Sequence, residues 1–194
     1  MSINVIDELA GLAPGSPLAT IRDGRKQARE NAQASFQALF APAESTGVTL
    51  AERAAVAVFV AALHRDAPAE DFYRRLLAEH GRSLVEPVAA AAKAGTTEGP
   101  YGAFPEGPLS AEDQPGLAFR IAPDAGAPLG PRLTAALEHA HLLVFRPRDA
   151  DGAALQALLD SGWSGAEIVT LSQLVSFLAF QIRSAAGLRV LAAA

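Results

Sequence analysis

The sequence contains no cysteine in 194 residues. That absence excludes disulfides, thiolate nucleophiles, thiolate-bound zinc and cysteine-held iron–sulfur clusters within this chain. Lysine is almost missing too: of 16 basic residues only Lys26 and Lys93 are lysine, and the arginines are scattered. With 21 acidic residues the net charge is −5, which gives no basic stripe for nucleic acid or an anionic membrane. Long apolar runs are absent as well. The longest uncharged one, IVTLSQLVSFLAFQI (168–182), has 15 residues and includes Thr, Ser and Gln. A spanning helix needs about 20. The start, MSINVIDELAG, is acidic and only briefly apolar, unlike a signal peptide. The expectation is a soluble, cytoplasmic protein with no nucleic acid or membrane partner.

Half of the residues are hydrophobic and about a fifth are charged, which is ample material for a core. The length suits one domain or two small, tightly packed halves. Nearly every patterned segment has helical period, and no period-2 strand is evident. Residues 21–40 put Ala28, Ala32, Phe36 and Leu39 on one face, and APAESTG (41–47) ends that helix. Thr49-Leu-Ala-Glu52 and Ser164-Gly-Ala-Glu167 have the form of capping boxes. The first opens an apolar helix to about Leu63. Asp66 or Ala67 starts the next, with Pro68 in its first turn and Gly81 at its C′ position. A short helix over 83–94 follows. Helical pattern returns at 131–145 and 150–161, and a long helix runs from the second box to about Ala186, ending at Gly187. Its apolar residues cover most of its circumference, so it is expected in the core or at a subunit interface. Between these, residues 95–130 are rich in Gly and Pro yet carry Tyr101, Phe104, Leu117, Phe119 and Ile121. They read as ordered wrapping, a lid or an intersubunit arm. The class is all-α.

The order LAERAAVAVFVAAL, a tight break, a helix ending RRLLAEHG, and then SGWSGAEIVTLSQLVSFLAFQIR with Arg183 resembles the alkylhydroperoxidase D-like, or carboxymuconolactone decarboxylase, superfamily. The resemblance covers roughly residues 45–82 and 131–190, and the second stretch is its more specific part. It implies an all-α alkylhydroperoxidase D-like fold of two helical hairpin units in one domain over 1–194. A helical extension (1–44) would precede the first unit (45–94), the Gly/Pro-rich connection (95–130) and the second unit (131–194). The family's first hairpin reads Glu, then Cys-x-x-Cys, then His. Here those positions are Ala54, Asp66, Ala69 and Tyr73, so the redox relay is replaced throughout. The resemblance also implies a homo-oligomer (dimer, trimer or hexamer), and a cysteine-bearing relative is a candidate partner.

Asp66, Glu70, His64 and Tyr73 are the candidate acid–base groups at the degenerate motif. Asp66 and Glu70 equally suit the N-cap and first turn of a helix, and Tyr73 equally suits packing. His64 and Asp66 would give two metal ligands where three or four are needed, so no metal or cofactor is expected. His139 and His141, two apart on a helix, point to different sides; His139 is the better candidate, with Glu138 and Arg183 nearby. His80 sits in a last helical turn. Trp163 is expected to staple onto Ile168 or Val169. Gln173 and Gln181 on the apolar last helix need partners, from a ligand or a second subunit. The expected function is a redox-inactive scaffold, ligand-binding protein or partner subunit. The alternative is lactone- or decarboxylase-like acid–base catalysis in the same cleft. Peroxidase activity follows from the family label alone, because the chain has no thiol to oxidise.

Overall fold

The computed structural model describes residues 4–42 and 47–193 and is all-α, with no β-strand among them. The helices are α1 (Val5–Ala10), α2 (Pro17–Asp23), α3 (Lys26–Phe40), α4 (Leu50–Leu63), α5 (Ala67–Gly81), α6 (Val85–Ala94), α7 (Pro123–Gly126), α8 (Gly130–Phe145), α9 (Gly152–Asp160) and α10 (Gly165–Ala192). Short 3-10 turns over Arg82–Leu84, Pro108–Glu112 and Pro147–Asp149 join some of them. The expected boundary at 44/45 lies outside the described residues.

Helix α4 is the centre of the fold. Every residue from Ala54 to Ala61 is at most 1 % exposed, and α5, α6, α8 and α10 all pack on it. The sequence explains the position: AAVAVFVA alternates alanines, which admit close neighbours, with Val56, Val58, Phe59 and Val60, each worth about 1.5–3 kcal/mol when fully buried. Both capping boxes form. Thr49 and Ser164 accept from the backbone N–H of Glu52 and Glu167, whose carboxylates reach back to the cap N–H at 2.8 and 2.7 Å.

Three boundaries and one burial pattern differ from the sequence expectation. Residues 21–40 are two helices, because Gly24 and Arg25 interrupt the pattern, and Ala28 is exposed while Ala32 and Leu39 are buried. Gly81 does not end a helix in a left-handed cap; its φ is −164°, and a 3-10 turn carries the chain into α6. Gly187 does not end α10, which runs to Ala192. Glycine in a helix costs about 1 kcal/mol, and the packed turns on either side outweigh that. Nor is α10 buried all round: Ile168, Leu171, Leu174, Val175, Leu178 and Ile182 face the core, while Val169 and Phe180 are about half exposed.

Parts of the 95–130 connection pack on the chain's own core. Tyr101 donates its backbone N–H to the Phe145 carbonyl at 2.6 Å, and Phe119, Ile121 and Leu129 are buried in the same chain's core. Phe119 stacks on His141 at 4.7 Å and meets Phe59 at 6.2 Å.

By length and composition α10 is able to cross a membrane, with a mean hydropathy of 1.4 over its most apolar 18 residues. Its inward face is nevertheless committed to α1, α4 and α8.

Candidate functional site

The α4–α5 turn is filled by its own side chains, and both of its carboxylates are paired. Ala54 and Ala69 have no exposed surface. Asp66 is buried and caps α5, accepting from the Ala69 N–H at 3.0 Å. Its other oxygen pairs with Arg189 near the end of α10, and Arg189 also donates to the Leu9 carbonyl at 2.7 Å. This aspartate therefore ties α1, α5 and α10 together. Glu70 pairs along its own helix with Arg74 at 2.5 Å.

Tyr73 has no exposed surface; its hydroxyl donates to Gln181 Oε1, and Gln181 Nε2 is buried without a partner. Burial pushes the phenol far above its usual range near 10, outweighing the opposing bond to Gln181. It is a neutral packing residue at any ordinary pH. His64 ends α4 with Nδ1 2.9 Å from the Val60 carbonyl, and its Nε2 is buried and unpartnered. Burial lowers its pKa first of all; the Val60 carbonyl opposes this, the Arg183 charge adds to it, and Asp66 opposes it. The turn itself is strained: Arg65 has φ +55°, a left-handed conformation that costs a side-chain-bearing residue about 1–2 kcal/mol. None of the clefts described below reaches Ala54, His64, Asp66, Glu70 or Tyr73.

An open cleft of about 450 Å³ lies elsewhere, between α8, α9 and the strap 117–120. Its wall includes His139 and His141, both buried, although one was expected to face solvent. His141 Nε2 sits 2.9 Å from the Gly95 carbonyl. His139 has both ring nitrogens buried with no hydrogen-bond partner, and burial lowers its pKa. Its neighbour Glu138 accepts from the Ile121 N–H at 2.8 Å and pairs with Arg120 at 3.5 Å. Arg183, expected beside His139, acts on His64 instead. Two other open features lie on the surface: one of about 610 Å³ beside Tyr101 and Arg148, the other of about 500 Å³ beside Asn4 and α3. Among the described residues no three His, Asp or Glu side chains converge as a metal site would require.

Sequence reasoning missed Arg132. From the first turn of α8 it donates to Glu52 at 2.7 Å, Glu167 at 2.8 Å and the Gly162 carbonyl at 2.6 Å. Its guanidinium stands 4.1 Å from the Trp163 ring centre. Trp163 is buried and donates its indole N–H to the Arg132 carbonyl at 2.9 Å. Gly47 belongs to the same cluster: with φ +78°, an added Cβ would lie 2.6 Å from the Glu167 carboxylate. The signal was present in the sequence as two capping-box glutamates and one arginine, but 80 and 35 residues separate Arg132 from them.

Taken together, the described residues form an all-helical protein whose hairpin centre is packed shut, with an open cleft beside α8 and α9. Compared with known protein families the chain matches none, and no curated protein is significantly similar to it.

Proposed function

We propose that the chain is a redox-inactive protein of alkylhydroperoxidase D-like type, serving as a ligand-binding scaffold or partner subunit in the cytoplasm. The observation that carries this reading is the packed hairpin. At the positions where the family's relay would sit stand two buried alanines, a capping aspartate held by Arg189, and a tyrosine held by Gln181. Neither Asp66 nor Tyr73 is both accessible and free to cycle a proton, which argues against acid–base catalysis at these two positions.

Homo-oligomer formation belongs to the same proposal and has separate support. The outward face of α10 exposes Val169, Gln173, Ser176, Phe180, Arg183, Gly187 and Val190. Three of them, Val169, Phe180 and Val190, are large apolar residues that a subunit contact would cover. A cysteine-bearing relative is the candidate partner for a mixed assembly.

The test is hydroperoxide consumption by the purified chain with a dithiol reductant, alongside native mass spectrometry. No turnover above the blank, with a mass at a multiple of the chain, is the expected pair of results. Turnover that disappears on Asp66→Asn substitution would overturn the reading.

A further inference from the structure

The homo-oligomer proposed above leaves open how many copies meet and in which orientation. We infer that two copies of this chain pair through the outward faces of α10, antiparallel about a two-fold axis that passes between Ser176 and Phe180. The inference deepens that reading and rests on it.

A two-fold interface sets a patch against itself, so its residues must complement one another in reverse order. Along the outward face of α10 they do. With the axis between Ser176 and Phe180, Ala166 meets the partner's Val190, Val169 the partner's Gly187, and Ser176 the partner's Phe180. Each of these layers sets a large side chain on a small one, as close packing of two helices requires. In the remaining layer Arg183, the only charge among the exposed residues of α10, donates to the side-chain oxygen of the partner's Gln173. A parallel pair would instead set Phe180 on Phe180, Arg183 on Arg183 and Gly187 on Gly187. Sliding the antiparallel pair by one seven-residue step in either direction carries two of the eight positions past the end of the partner's helix. Gly187 is an independent observation. Glycine is disfavoured inside a helix, and within its own chain nothing lies within 4 Å of a Cβ added there. No close approach inside the chain calls for a glycine, whereas the partner's Val169 supplies one. The area fits as well. Among the described residues, seven of the nine exposed large apolar side chains stand on α10 or on α2 and α9, which pack against it. They expose on the order of 700 Å², close to the roughly 800 Å² per partner of a standard interface.

The experiment is sedimentation velocity of the full chain over a concentration series, with two variants and one spin label. Wild type reaches a dimer and no larger species. Gly187→Leu, for which its own chain has room, overfills the layer shared with Val169 and weakens the dimer by about tenfold or more. Adding Val169→Ala to that variant restores most of the lost affinity, because large and small have only changed sides. The chain has no cysteine, so a nitroxide on Ala166→Cys is unique. In the dimer the two labels stand about 36 Å apart, the rise from Ala166 to Val190 at roughly 1.5 Å per residue. A trimer or larger assembly, a dimer that Gly187→Leu leaves intact, or a loss that Val169→Ala does not restore overturns the inference. So does a clearly different label separation, such as the roughly 10 Å of a parallel pair. Each of these leaves homo-oligomer formation standing. A chain that stays monomeric at every concentration overturns both, and absence of peroxide turnover then still supports the redox-inactive reading.

Discussion

Replacing Arg132 by Met removes a guanidinium that joins the N-terminal ends of α4 and α10 while keeping an apolar stem against Trp163. Arg132 is 28 % exposed and its two glutamate partners 15 % each, so each ion pair is worth about 1 kcal/mol, the upper end of the range for exposed pairs. The cation–π contact adds about 0.5–1 kcal/mol. The carbonyl bonds to Gly162 and Gly47 add about 0.5–1.5 kcal/mol each. Ordering the arginine side chain costs about 2 kcal/mol. The net loss on substitution is therefore about 1.5–4 kcal/mol. For a domain of this size that lowers the melting temperature by roughly 3–16 °C. Circular dichroism melts at neutral pH read it directly.

The pH dependence supplies a second check on the same variant. Hydrogen bonding to Arg132, and then to Ser164, pushes Glu167 down to about 2. A carboxylate with a depressed folded pKa contributes stability above its unfolded value near 4.5, and that contribution is lost as pH falls towards 2. The gap between wild type and Arg132→Met should therefore narrow from about pH 4.5 downward. A loss below 0.5 kcal/mol at neutral pH, or a gap that does not change on acidification, would refute the network argument.

Asp66→Asn keeps the cap on α5 but strips the charge that holds Arg189; a loss of about 1–3 kcal/mol in urea titrations is expected, larger than a cap alone would give. Arg65→Gly relieves the positive φ at the α4–α5 turn and should stabilise the chain by about 0.5–1 kcal/mol despite glycine's greater freedom when unfolded, visible as a higher urea midpoint. Burial lowers the pKa of His64, His139 and His141. Their neutral forms favour the fold above about pH 6.5, and that contribution falls as pH drops below this value, with proton uptake on unfolding measurable from melts across roughly pH 5–7. Phe180→Glu places a charge in the outward α10 seam; sedimentation should report a smaller assembly, and an unchanged mass would remove α10 from the interface.

Local signals in the sequence were reliable where one segment decides the outcome. The capping boxes at Thr49 and Ser164 and the aspartate cap of α5 need only neighbours within four residues, and all three form. The pattern misled where tertiary contacts decide. The apolar girth of α10 placed it in the core or at a subunit interface; one of its faces is buried, while α4 is the most buried helix because its alanines let four helices approach at once. His139 and His141 were expected to point to different sides, and both are buried, with Phe119 stacked on His141. The cleft was not legible: its walls come from residues 117–161, and Leu117, Phe119, Glu138, His139 and His141 had attracted notice without pointing to a shared cleft. Asp66 looked like a candidate base because Arg189, its partner, lies 123 residues away.

The same long separations set the order in which the chain can mature on a ribosome. Helix α4 cannot bury its outer face until α10 exists, and α1 and α5 wait for Arg189 to close their shared junction. The roughly 80 residues between α5 and α10 take about 4–16 s to synthesise at ordinary elongation rates. Throughout that interval AAVAVFVA, the most apolar face in the molecule, has emerged without its final neighbour. A nascent chain of this design depends on being shielded during translation, and its yield in a cell should follow chaperone supply more closely than the stability of the finished fold.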